Sequence, residues 1–86
     1  MQVLITFDST HHALRGEQIL EQAELGPDII PTPREITASC GLSLSLSANH
    51  VQQAVQLLRS ANVEYRAVYD LLSTAGVKSY QLREEI

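Results

Sequence analysis

Leu42, Leu44 and Leu46 alternate with Ser43, Ser45 and Ser47, the cleanest period-two run in the chain. Successive side chains of a strand point to opposite faces, so this run predicts a strand with one leucine face against a core. Any fold must supply something to cover that face. Residues 2–7 offer the matching pattern: Val3, Ile5 and Phe7 alternate with Gln2, Leu4 and Thr6. A third alternation, Val63, Tyr65, Ala67 and Tyr69, predicts a strand over 63–70. Residues 28–32 read as a short edge strand, because Pro31 has no N–H to give a central ladder.

Two helices separate these strands. Asp8, Ser9 and Thr10 offer capping oxygens for a helix from about His11 to Glu24, with Ala13, Gly16, Ile19, Leu20 and Ala23 as its buried stripe. Gly16 permits close approach of helix and sheet. Leu25-Gly26-Pro27 is expected to end the helix, with Gly26 in the left-handed conformation. Asn49 and Gln52 have the spacing of a capping box, and Val51, Ala54, Val55 and Leu58 follow the i, i+3, i+4, i+7 rule. Ala61-Asn62 closes that second helix. The order β-α-β-β-α-β predicts an α+β domain of the ferredoxin-like kind, an antiparallel sheet with both helices on one face. Residues 1–70 form that domain, and residues 71–86 are a C-terminal extension. Leu71-Leu72 suit a longer last strand or a turn of helix, and residues 77–82 suit an added strand or an arm reaching another copy.

Composition narrows the functional classes. Six Lys and Arg in 86 residues, spread without a cluster, and a net charge of −4 exclude the footprint of a nucleic-acid binder. No apolar run is long enough to cross a bilayer, and no basic-then-apolar leader opens the chain, so the expected address is cytoplasmic. A single cysteine agrees with that address, since small secreted domains carry several in pairs. There is no phosphate-binding loop, no dinucleotide fingerprint and no Gly-x-Ser-x-Gly elbow. Adjacent histidines on a helix diverge too far to share a metal with one cysteine, and neither a metal nor a tightly bound cofactor is expected.

The cysteine itself is the chemical focus. Cys40 follows Pro31 and Pro33 and precedes Gly41, at the end of the loop from Pro33 to Ser39 that leads into the Leu/Ser strand. Right-handed crossovers put this loop at the same end of the sheet as the start of the first helix. Thr10, His11 and His12 would then stand beside the thiol, with His12 the nearer histidine, while Arg34 and Ser39 approach from its own loop and Gly41 lets the backbone bend. A helix N-terminus and nearby cations favour a thiolate, the nucleophilic form of the side chain. Against this stands the commoner use of a free cysteine as a small buried hydrophobe.

The segments Ile5-Thr6-Phe7-Asp8-Ser9-Thr10-His11-His12-Ala13-Leu14 and Ile30-Pro31-Thr32-Pro33-Arg34-Glu35-Ile36-Thr37-Ala38-Ser39-Cys40-Gly41-Leu42 together resemble a family of short bacterial selenium/sulfur-carrier-like proteins. The resemblance covers roughly residues 2–70. It implies that the cysteine of the Ser39-Cys40-Gly41 motif carries the chalcogen, with the run from Ser9 to His12 alongside, as a carrier rather than a stand-alone enzyme. Donor and acceptor proteins are the implied partners. A homodimer through an edge strand or the C-terminal extension fits the small core of such a chain. The rival reading is a small-ligand or partner-binding regulatory module in which Arg34 contacts an anion and Cys40 only packs. A redox sensor is a third reading, and it needs a second thiol from another molecule.

Overall fold

In the computed structural model, which describes residues 1–36 and 40–85, β1 (Gln2–Thr6) is the middle strand of a five-stranded antiparallel sheet. It pairs on one side with β3 (Leu42–Ser47), where Val3 faces Leu46 and Ile5 faces Leu44. On the other side it pairs with β4 (Ala67–Thr74), where Ile5 faces Val68. β2 (Asp28–Pro31) lies outside β3, and β5 (Val77–Glu85) lies outside β4, giving the order β2-β3-β1-β4-β5. β1 and β2 are both antiparallel to β3 and so run the same way. The helix α1 (Thr10–Gln22) carries the chain from one to the other, and α2 (Val51–Ser60) links β3 to β4.

Both helices bury their stripes against the same strands. Ala13 and Leu20 of α1, and Val51, Ala54 and Leu58 of α2, share one core with Val3, Ile5, Phe7, Leu44, Leu46 and Val68. Gly16 is where these layers meet. A Cβ placed there would lie 3.3 Å from both Leu58 Cδ2 and Phe7 Cζ, and 3.5 Å from Leu44 Cδ1. The absent side chain therefore sets how closely α1 approaches α2 and the sheet.

Several sequence expectations change in detail. The sheet has five strands, one more than the plan expected for residues 1–70. Gly26 is left-handed as expected (φ 64°), but α1 has already ended: Glu24 takes the left-handed conformation first (φ 61°), while Leu25 N–H reaches Leu20 O at 3.1 Å and Glu24 N–H reaches Glu21 O at 2.9 Å. This is a Schellman ending, closed by the buried Leu25 over Leu20. α2 ends likewise, with Asn62 at φ 58°, Val63 N–H on Leu58 O at 2.9 Å and Asn62 N–H on Arg59 O at 3.1 Å.

Asn49 does not cap α2. A 3₁₀ turn over Ala48–His50 intervenes, capped by Ser47 Oγ, which accepts Asn49 N–H at 3.3 Å. The alternating run from Val63 is not all strand either. Val63 N–H is consumed in ending α2, so it has no donor to offer a ladder, and β4 begins at Ala67. Val63 and Tyr65 are still buried, as plugs over the end of the core. β4 then runs through residue 70 to Thr74 and turns into β5 across Ala75 (φ 52°) and Gly76 (φ 79°). Two positive φ values are what a two-residue hairpin requires to match strand twist. Residues 71–85, less legible in sequence, thus form half of β4, the turn and its hairpin partner.

Candidate functional site

Three chain segments converge where β1 ends. Cys40 N–H donates to Phe7 O at 3.3 Å from one side, and Arg66 N–H donates to Thr6 O at 2.7 Å from the other. Between them α1 begins. Ser9 is its N-cap, with extended backbone and a hydroxyl that accepts His12 N–H at 3.4 Å. Of the three capping candidates Ser9 is used, which makes Thr10 the first helical residue, with its hydroxyl against the end of the β2–β3 loop.

That loop is closed by its own ends. Thr32 N–H donates to Gly41 O at 2.9 Å, and the Thr32 hydroxyl donates to Cys40 O at 3.2 Å. A hydroxyl has one proton, so at the 2.7 Å contact with Ser43 Oγ it is Thr32 that accepts. Ser43 is fully buried and Thr32 half-buried, so these bonds are shielded from competing water. Residue 40 is pinned at its carbonyl and its N–H. The side chain is thereby directed inward.

Cys40 Sγ ends 3.4 Å from Thr10 Oγ1 and 3.4 Å from the backbone N of Leu42. The Leu42 N–H donates to sulfur, and the Thr10 hydroxyl is able to do so. Two donors at one sulfur, at the head of a helix, are what holds a sulfur anion once it forms. The thiol is free, and Cys40 is only 3% exposed and packs as part of the core. The expected accessible thiol is therefore covered.

The other residues expected around it are dispersed. His12 is not the neighbour of Cys40. Its Nδ1 accepts Glu64 N–H at 3.1 Å, which commits the ring to the stretch after α2 on the opposite flank of α1. His11 is exposed and meets His12 edge-on, with ring centroids 5.7 Å apart. Arg34 is exposed in the turn closed by Ile36 N–H on Pro33 O, and it forms no ion pair among the described residues. Gly41 does not have a positive φ, and a Cβ there would meet nothing within 4 Å, so the bend does not depend on glycine. Ser39 lies outside the described residues. Thr10 alone of the expected group touches the sulfur.

Sequence reading missed Thr32, Ser43 and the amide of Leu42. Alternation puts Ser43 on the polar face of its strand, and only its burial beside Thr32 shows its use. The pairing of Ile30 with Ser43 that aligns them is a long-range register with no local signal.

Among the described residues no three His, Cys, Asp or Glu side chains cluster to hold a metal ion, and no helix is long and apolar enough to cross a membrane. What fold and site define is a small α+β domain that presents a single cysteine to the first turn of a helix. Residues 2–70 match the family model described as "Putative Se/S carrier protein-like", and the chain belongs to that family. No curated protein and no solved structure matches it significantly.

Proposed function

We propose that this protein carries sulfur or selenium on Cys40, receiving it from a donor protein and handing it to an acceptor. The observation that carries this reading is the sulfur held between the Leu42 amide and the Thr10 hydroxyl, each at 3.4 Å. Family membership supports the same residue, since Cys40 is the only cysteine in the chain and falls within the matched stretch. The frame is the ferredoxin-like plan widened by β5, and the setting is the cytoplasm, where donor persulfides are not lost to disulfide formation.

For sulfur the step is a thiol exchange. The Cys40 thiolate attacks the outer sulfur of a donor persulfide, its electron pair forms the new S–S bond, and the old S–S bond breaks with its pair leaving on the donor thiolate. The product is a persulfide on Cys40. Delivery repeats the exchange with an acceptor thiolate attacking the outer sulfur. Since Cys40 is only 3% exposed, its sulfur must be uncovered by local movement before a donor reaches it. A partner that docks at the end of β1 and stabilises the uncovered state would confine loading to the right encounter. Thr10, the one member of the expected group that touches the sulfur, steadies the sulfur anion in this scheme.

Intact-mass measurement after incubation with a protein persulfide donor tests the reading. The wild-type chain is expected to gain the mass of one sulfur atom, removable by a thiol reductant, and Cys40→Ser to gain none. Equal gain in Cys40→Ser, or none in the wild type from any persulfide donor, overturns it.

A further inference from the structure

On the flank of α1 away from Cys40, a cleft of about 460 Å³ opens between the first helical turn and the stretch that leads into β4. The volume is that of a small-molecule site. Its walls include Asp8, His12, Arg59, Glu64, Tyr65 and Arg66, so two guanidinium groups face two carboxylates and the lining is formally neutral.

The donors and acceptors in this cleft are incompletely used. Arg66 Nη1 stands 3.8 Å from Asp8 Oδ2, a long pair between half-exposed side chains that contributes little. Glu64 forms no ion pair among the described residues. Arg59 uses one nitrogen, Nη2, on both the Tyr65 hydroxyl and Glu84, leaving its other N–H groups. His12 accepts at Nδ1 from Glu64 N–H, so its ring proton sits on Nε2 and that atom is a donor.

We propose that this cleft binds a small zwitterion, a molecule carrying one carboxylate and one ammonium in the manner of a free amino acid. The charge pattern selects that class. A ligand carboxylate that takes Arg66 strips Asp8 of its partner, and a purely anionic ligand leaves that carboxylate uncompensated beside Glu64. A ligand that also carries an ammonium re-pairs both ends, so the weak Arg66–Asp8 contact is exchanged for two and the lining stays neutral. His12 Nε2 and the spare N–H groups of Arg59 supply further donors to the carboxylate. The site uses no atom of Cys40 and stands apart from the carrier reading.

Titration calorimetry on the full chain tests it, with L-serine and L-glutamine as zwitterions and with lactate and ethanolamine as single-charge probes. Saturable binding of at least one zwitterion is expected, about tenfold or more tighter than either single-charge probe. Arg66→Gln and Glu64→Gln, both at exposed positions, are each expected to weaken binding about tenfold, while Lys78→Gln on β5 binds as the wild type. The proposal fails if neither zwitterion binds saturably up to about 10 mM. It fails equally if lactate binds as tightly as L-serine, or if Arg66→Gln and Glu64→Gln both bind normally with unchanged circular dichroism.

Discussion

The hydroxyl of Thr10 and the sulfur of Cys40, thirty positions apart in the chain, lie 3.4 Å from one another across the gap between α1 and the β2–β3 loop. The contact joins the start of α1 to the residues just before β3, and Thr10 is the only side-chain partner of the sulfur among the described residues. Replacing the hydroxyl by a methyl at constant shape removes one donor and little else. Thr10→Val is expected to slow persulfide loading of Cys40 about fivefold, the worth of one hydrogen bond of about 1 kcal/mol. Loading followed by mass against time measures it. An unchanged rate would show that the Leu42 amide suffices.

Tyr65 joins α2 to β5 through a shared knot. Its hydroxyl bonds to Glu84 and receives Arg59 Nη2 at 3.0 Å, while that guanidinium stands 5.9 Å from the centre of its ring. Burial pushes the Tyr65 hydroxyl above the ordinary tyrosine value, and its hydrogen bond to Glu84 pushes the same way. A raised native value means that the unfolded chain gives up this proton first. The stabilisation is whole below the unperturbed value of about 10 and is lost as pH rises through the native one. Urea midpoints are therefore expected to fall above about pH 10, and Tyr65→Phe to flatten that fall while lowering the neutral-pH midpoint. Parallel pH profiles that fall equally would contradict this.

Glu24 holds a left-handed backbone at the end of α1 with an ordinary side chain, a conformation that costs an L-residue about 1 kcal/mol. Its side chain is exposed. Glu24→Gly is expected to raise unfolding free energy by about 0.5–1 kcal/mol, the conformational relief being partly offset by greater freedom in the unfolded chain. A denaturant titration reads it through the midpoint at constant slope. A loss of stability would mean that the glutamate side chain makes a contribution of its own.

Gly16 has the opposite constraint, space rather than backbone. With neighbours 3.3 Å from where a Cβ would sit, and with Phe7 and Leu58 both fully buried, a branched side chain must push apart the two helices and the sheet. Gly16→Val is expected to destabilise by about 1–3 kcal/mol, the range of overpacked cores. Gly16→Ala adds a single methyl against side-chain ends, and its better helix propensity of about 1 kcal/mol works against the crowding. The difference between the two variants in thermal melts isolates the packing part.

What could be read in the chain beforehand was what depends on local pattern. Val3, Ile5 and Phe7, and the leucines of β3, lie on the core face as their alternation requires, and the stripes of both helices meet them. The approach of the Cys40 loop to the start of α1 follows from β1 and β2 running the same way, which brings the end of β2 to the end of the sheet where α1 begins. Choices between near-equal local options were not legible. Gly26 is left-handed as its type suggests, yet Glu24 ends the helix two positions earlier, because Leu25 must fold back over Leu20 at that step. Val63 and Tyr65 alternate as a strand would, yet the amide of Val63 is spent on Leu58 O. His12 bonds to a backbone amide fifty-two positions away, an encounter set by how α2 ends, and this is why the ring expected beside the thiol is elsewhere.

The stretch that matches the family ends at residue 70, within β4, four positions short of the turn that begins β5. That boundary in sequence is not a boundary in the molecule. Glu84, which ties Tyr65 and Arg59 together, lies beyond it, as does Arg83, which pairs with Asp70 at 2.7 Å. A chain trimmed to the defining stretch would end mid-strand, with Tyr65 stripped of its carboxylate partner and the backbone of β4 presented as a raw edge. Unpaired edges recruit other strands. The closing hairpin acts as a hem: it moves the open edge outward from β4 to β5, where Lys78, Arg83 and Glu84 set charge along it.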